Sequence, residues 1–150
     1  MPRKSKIVAP PASFDVLRLP PHAYADREND CAIWALSAYT SLPYERVLIE
    51  VAREDRVAGT QGLSIAQITR VARRLGFPLR FRKKPDMEDD IGILSVWLLE
   101  KGEQLGHVAL LKQGQVIEAN QGIMIWSVDS YFVAGHAILH GVLVAREKAE

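Results

Sequence analysis

The sequence holds a single cysteine. That scarcity excludes an intramolecular disulfide and any zinc site built on several thiolates, and it fits a reducing compartment. Long apolar runs are also missing: none approaches the roughly 20 residues that a membrane span needs. Lys4 and Lys6 carry the charge of a signal-peptide start, but Pro10, Pro11 and Pro20 break up the next stretch and no apolar core of proper length develops. The expectation is a cytoplasmic protein without a membrane segment. Charge of one sign is lacking as well. Lys and Arg number 19 against 18 Asp and Glu, a net charge of +1, which gives no global attraction to nucleic acid or to an anionic membrane. There is no internal repeat, no metal-ligand motif and no Gly-rich phosphate loop, so no metal and no cofactor are expected.

What is present is an ordinary globular composition, 48% apolar and 25% charged. A chain of 150 residues is most economically one domain and buries roughly 68–70% of its unfolded surface. Residues 1–25 form a basic and proline-rich arm, with Pro10, Pro11, Pro20 and Pro21 forbidding a long helix. Such an arm could dock the protein to a larger assembly. Residues 26–150 are read as the folded domain.

Ala32 to about Tyr39 reads as a first helix, with Asn29 or Asp30 as its N-cap and Ala32, Ala35, Leu36 and Tyr39 on one face. Ser41 is a candidate cap for a second helix over Tyr44 to Ala52. Pro43 stands where a first-turn proline is tolerated, and Val47, Leu48, Val51 and Ala52 form the buried stripe. After a loop at 59–62, Ser64 and Gln67 make a capping box for a third helix. Ile65, Ile68, Val71, Ala72 and Leu75 line its apolar face and Gly76 ends it. Arg70, Arg73 and Arg74 lie near its last turn, where cations suit the dipole. We read them so, rather than as a nucleic-acid patch continued by Arg80, Arg82, Lys83 and Lys84.

The period then changes. Leu79 and Phe81 alternate with Arg80 and Arg82 as a half-buried strand, and Ile91 to Leu99 is a central strand. His107 to Leu111 and Val116 to Ala119 make a hairpin about Gln113-Gly114. Ile123 to Trp126 is a short strand, Asp129 to Phe132 a short helix or turn, and Ile138 to Ala145 the closing strand. Helices first and an antiparallel sheet second predict an α+β fold with the helices packed on the sheet.

A lone cysteine is usually inert packing. Cys31, however, falls in the first turn of the first helix, where the dipole favours thiolate over thiol. A thiol nucleophile needs a base, and the base needs an orienting partner. His107 opens a strand just after Gly106, and Asn120 closes the next strand of the same hairpin, so the spacing brings the two together. Glu118 is a rival orienting group, two residues before Asn120 on the same strand face. His22, His136 and His140 are rival histidines, the last two beside the closing strand without a partner at matching spacing. Trp34 and Trp126 either shield the site or, more economically, fill the core.

This order of Cys, helices, Gly-His on a strand and Asn after the next strand resembles the papain-like cysteine peptidases. It is most similar to the peptidase domains of bacterial ABC exporters, which cleave double-glycine leader peptides. The shared residues are Asp30-Cys31, Gly62-Leu63-Ser64, Leu75-Gly76-Phe77 and Gly106-His107-Val108-Ala109-Leu110-Leu111, over roughly residues 28 to 145. The resemblance implies a papain-like fold and a thiol peptidase or amidase acting on a peptide or isopeptide bond. It makes Cys31 the nucleophile, His107 the base and Asn120 the residue that orients the imidazole. The exporter domains usually carry Asp at that last position, whereas papain carries Asn. The family also places a Gln six residues before the Cys as an oxyanion donor. Here that residue is Ala25, and Asn29 with the Cys31 backbone N–H stands in as the oxyanion candidate. The alternative is a catalytically degenerate papain-fold binding or structural module, for example in a phage or mobile-element assembly.

Overall fold

Three helices precede the sheet, as the change of period predicts. The computed structural model describes residues 31–54, 63–100, 102–118, 124–134 and 137–146. In chain order these form α1 (Cys31–Thr40), α2 (Tyr44–Val51), α3 (Ile65–Arg74), β1 (Leu79–Arg82), β2 (Ile91–Glu100), β3 (Glu103–Lys112), β4 (Gln115–Glu118), β5 (Met124–Ser127), α4 (Val128–Ala134) and β6 (Ala137–Ala145). The strands make one antiparallel sheet of order β1-β6-β2-β3-β4-β5. The α+β expectation therefore holds. Among the described residues no helix is long and apolar enough to cross a membrane.

Both sheet faces are covered. On one, Ile93, Val108 and Leu143 pack with Ala32, Leu36, Val47, Ile68 and Val71 from α1, α2 and α3. On the other, Leu94, Val96, Ala109, Leu111, Val116 and Val142 pack with Val128 and Tyr131 of α4. Each fully buried Leu, Ile or Val contributes roughly 1.5–3 kcal/mol over leaving it in water.

Local chemistry explains most boundaries. Ser64 accepts from the Gln67 N–H and the Gln67 side chain accepts from the Ser64 N–H, so the capping box forms; Gly76, at φ 94°, closes α3. The β3–β4 turn is two residues long, between Lys112 and Gln115, and Gln113 and Gly114 both have positive φ (47° and 83°). That is the primed turn whose twist suits a tight hairpin.

Three expectations need correction. β3 begins at Glu103, not His107, because the Gly102 turn lets β2 and β3 pair without a break from Ile91↔Lys112 to Glu100↔Glu103. His107 is thus inside a strand. The N-cap position of α2 is Pro43, with no side-chain cap bond, while Ser41 takes a left-handed turn (φ 60°). Thr40 serves the junction instead, donating to the Leu36 carbonyl (2.7 Å) and accepting from the Leu42 N–H (3.2 Å). On α2, Leu48 and Ala52 are exposed and Glu50 is buried. Arg74 reaches across from α3 to Glu50 (3.0 Å) and Glu54 (2.8 Å), with Arg46 on Glu50 and Arg70 on Glu54. The Arg74 bond, aided by Arg46, holds the Glu50 carboxyl below its usual range against the burial that opposes it. Arg82 pairs with Asp90 (3.1 Å). Much of the basic cluster is thereby neutralised within the fold. The loop at 59–62 lies outside the described residues.

β2 sits between β6 and β3, and Gly92 sets how closely it approaches β6. A Cβ there would overlap the Leu143 carbonyl oxygen and lie 2.9 Å from Val142 Cγ1. Gly92→Ala is expected to lower stability by about 1–3 kcal/mol, since the clash is with backbone that cannot rotate away. Urea unfolding should show a lower midpoint at unchanged slope.

Candidate active site

α1 is apolar on nearly every side: Ala32, Ile33, Trp34, Ala35, Leu36, Ser37 and Thr40 are all buried. Its packing against β3 fixes where its first residue lies. That residue is Cys31, a free, partly exposed thiol. It stands at a helix start, where the first backbone N–H groups have no intrahelical acceptor.

β3 and β4 supply the next two groups. His107 pairs with Val96 of β2, so its side chain belongs to the α4 side of the sheet. Across the hairpin the register runs Lys112↔Gln115, Leu111↔Val116, Leu110↔Ile117. One further step puts Glu118 opposite Ala109 on that same face, diagonal to His107. Ala109 is too short to fill the space, and the Glu118 carboxylate leans across it. His107 Nε2 and Glu118 Oε1 are 2.5 Å apart. Cys31 lies beside the same ring, close enough to raise the imidazole as a hydrogen-bonding and charged neighbour. With Nε2 engaged, Nδ1 is the nitrogen left for the sulfur. The His107 ring is thus approached by Cys31 from the layer of α1 and by a carboxylate from the α4 side.

α4 adds a fourth group. It starts directly after β5: the Ser127 hydroxyl accepts from the Ser130 N–H (3.2 Å), and the Val128 N–H donates to the Gly114 carbonyl (3.1 Å). Tyr131 is buried, and its hydroxyl donates to Glu118 Oε1 (2.9 Å). The result is a continuous hydrogen-bonded run, His107–Glu118–Tyr131, with Cys31 beside the imidazole.

Its electrostatics follow from low exposure, 15% for the His107 side chain and 21% for Glu118. Burial works against a charged imidazole, but the bonds to Cys31 and Glu118 and the carboxylate's charge outweigh it and push His107 up to about 10. Burial likewise opposes ionisation of Glu118, and His107, with help from Tyr131, outweighs that and holds the carboxyl below its usual range. Burial pushes the Tyr131 hydroxyl up, so it stays a neutral donor. The chain is linear rather than convergent, and among the described residues no group of three or more His, Cys, Asp or Glu side chains could hold a metal ion.

No protein-family model matches the chain, and no curated protein matches it.

Of the expected site residues, Cys31 and His107 are brought together. Asn120, Asn29, Asp30 and Ala25 lie outside the described residues, as do His22 and His136. The group bonded to His107 is Glu118, the rival orienting residue. His140 lies within β6, not beside it, and has a partner after all: its Nδ1 is 3.0 Å from Ser95 Oγ, and its ring packs between Phe81 and Trp97. Trp34 is core, its ring packed at 5.3 Å and tilted by 53° against Tyr44. Trp126 is half-buried against the α4-side cluster. Sequence reasoning assigns Tyr131 no role. The signal available is weak: a tyrosine in the first turns of a short helix directly after the β5 strand.

The pair makes stability depend on pH. His107 is raised from 6.5, so its contribution is complete below about 6.5 and is lost as pH rises through about 10. Glu118 is lowered from 4.5, so its contribution is present above about 4.5 and is lost on acidification. Thermal unfolding midpoints should fall from pH 6.5 to 10 in the wild type. His107→Gln should be less stable near neutrality and should flatten that alkaline slope.

Proposed function

We propose that the protein is a papain-like thiol hydrolase that cleaves a peptide or isopeptide bond, with Cys31 as nucleophile and His107 as its acid and base. The observation that supports this most is the 2.5 Å contact of His107 with Glu118, with Cys31 beside the same imidazole. A nucleophile, a base and an orienter in that order form the general triad arrangement. In this reading Glu118 occupies the orienting position.

The chemistry would run in two halves. The Cys31 sulfur attacks the carbonyl carbon, and the carbonyl oxygen takes the negative charge. Backbone N–H groups in the first turn of α1 would stabilise that developing charge. His107, held protonated by Glu118, gives its proton to the leaving amine as the C–N bond breaks, leaving a thioester on Cys31. The now neutral imidazole takes a proton from water as the water oxygen attacks the thioester. The acid product leaves and the sulfur departs as thiolate beside the imidazolium. Substrates with small residues beside the cleaved bond, such as double-glycine leaders or cell-wall peptides, suit this reading.

A second reading has one observation in its favour. Ala25 stands where the exporter peptidase domains carry an oxyanion Gln, and loss of one such donor costs roughly 10²–10³ in rate. The fold would then be kept as a binding module without turnover.

The two readings part on Cys31 reactivity. In the hydrolase reading, iodoacetamide alkylates Cys31 at about pH 6, and His107→Ala slows the reaction at least about tenfold, because the thiolate loses its counter-ion. On a cleavable small-residue peptide the same substitution lowers turnover by roughly 10²–10⁴. A thiol that alkylates at the same rate with and without His107 would sink the hydrolase reading and favour the binding module.

A further inference from the structure

Tyr131 is buried to 6% exposure in the α4-side cluster, where a phenylalanine would fill the same space. A buried hydroxyl must find a partner or cost stability. Its partner here is not a backbone carbonyl but Glu118 Oε1, the same oxygen that holds His107 Nε2. Resting on the hydrolase reading of this site, we propose that Tyr131 is a positioning residue, whose hydroxyl anchors the Glu118 carboxylate so that it stays aimed at the His107 imidazole.

Three observations carry this. The first is geometric. Glu118 lies diagonal to His107, not opposite it, so its flexible side chain must be held in a leaning conformation. The Tyr131 hydroxyl, 2.9 Å away, pins the oxygen that makes the 2.5 Å contact. The second is rigidity. α4 is tied to the hairpin that bears both residues, through the Val128 N–H on the Gly114 carbonyl and the Ser127 cap. Phe132 packs edge-on against the Tyr131 ring at 5.7 Å. The hydroxyl is therefore placed by the same turn that sets the His107–Glu118 register. The third is electrostatic. Among the described residues, the titratable groups facing Glu118 are His107 from β3 and Tyr131 from α4, with Cys31 of α1 beyond the imidazole; Asp129 of α4 is exposed. Tyr131 donates only to the ionised carboxylate's benefit, and it remains a donor because burial keeps it neutral. Without it, Glu118 would protonate more readily on acidification and release the imidazole.

The test uses the full chain and iodoacetamide, with alkylation rates taken from about pH 4 to about pH 10. Tyr131→Phe keeps the ring and removes one oxygen. It should move the acid limb of the rate profile to higher pH by about one unit, the size expected for loss of one hydrogen bond to a charged group. Within that limb the rate should drop about tenfold. In a Glu118→Gln background the same substitution should change nothing further, since the two act as a unit. A purely structural tyrosine would lower thermal stability and leave the limb where it was. If Tyr131→Phe superimposes on the wild type while His107→Ala slows alkylation, the positioning role is wrong and the hydrolase reading survives. If His107→Ala also has no effect, the site reading fails and this inference with it. A second measurement needs no mutation. In wild-type protein, the Tyr131 Cζ resonance should titrate with the Glu118 carboxyl carbon at one acid midpoint. A Tyr131 signal that ignores Glu118 protonation would overturn the proposal even if the variant failed to fold.

Discussion

The hydrogen bond between His107 and Glu118 is the constraint on which the rest of the site depends. Both side chains are largely out of water, at 15% and 21% exposure. A buried pair of this kind is not automatically stabilising, because each ion gives up several kcal/mol of hydration. It persists only if the remaining donors and acceptors find partners. Here Cys31 lies on the other side of the imidazole, and Tyr131 donates to the carboxylate oxygen that holds His107. Removing a member would leave a buried charge half-satisfied, which is worse than never having made the network. The site is thus held by mutual dependence and not by any one strong contact.

The hairpin turn converts that electrostatic demand into geometry. Because side chains alternate along a strand, a one-residue slip between β3 and β4 would send Glu118 to the opposite face. The two-residue turn at Gln113 and Gly114 forbids the slip, since both residues sit at positive φ and a longer loop would splay the strands. The Gly114 carbonyl also receives the first N–H of α4. One turn therefore sets the register of His107 and Glu118 and the placement of Tyr131. A residue as small as Ala109 is needed too, because a larger side chain would fill the diagonal that Glu118 crosses.

The elements most legible in the sequence are those with local instructions. The Ser64–Gln67 capping box, the Gly76 stop, the Gln113-Gly114 turn and the alternation of Leu79 and Phe81 all carry their geometry within a few residues. The features hidden from the sequence depend on distant partners. Glu50 has the chemistry of the polar face of α2 but is buried, because Arg74 approaches from a helix 24 residues on. His140 has no partner at matching spacing, yet Ser95 meets it across β2 and β6. The true start of β3 is set by backbone pairing with β2, and pairing leaves no mark on the β3 residues themselves. The partner of Tyr131 depends on how α4 folds back over the sheet. Glu118 is visible as a rival to Asn120, and choosing it requires knowing that Ala109 leaves the diagonal open.

The placement of Cys31 follows from a different principle. An amphipathic surface helix can slide and tilt on its core, but α1 has no wet face along most of its length. It is enclosed by β3 on one side and by α2 on another, with Val47 and Val51 in the shared cluster. The enclosure is close enough to bury two polar atoms, Trp34 Nε1 and Ser37 Oγ, that have no hydrogen-bond partner within the described residues. Such groups cost about 1–3 kcal/mol each when left dry. Its packing on β3 and α2 holds the helix in place. The consequence falls on the residue at its start. A thiol on a loop would have to be drawn toward His107 by the ion pair itself, at an entropic cost. A thiol on the first turn of an enclosed helix is already beside the imidazole, so the packing of α1, and not their mutual attraction, sets where it lies.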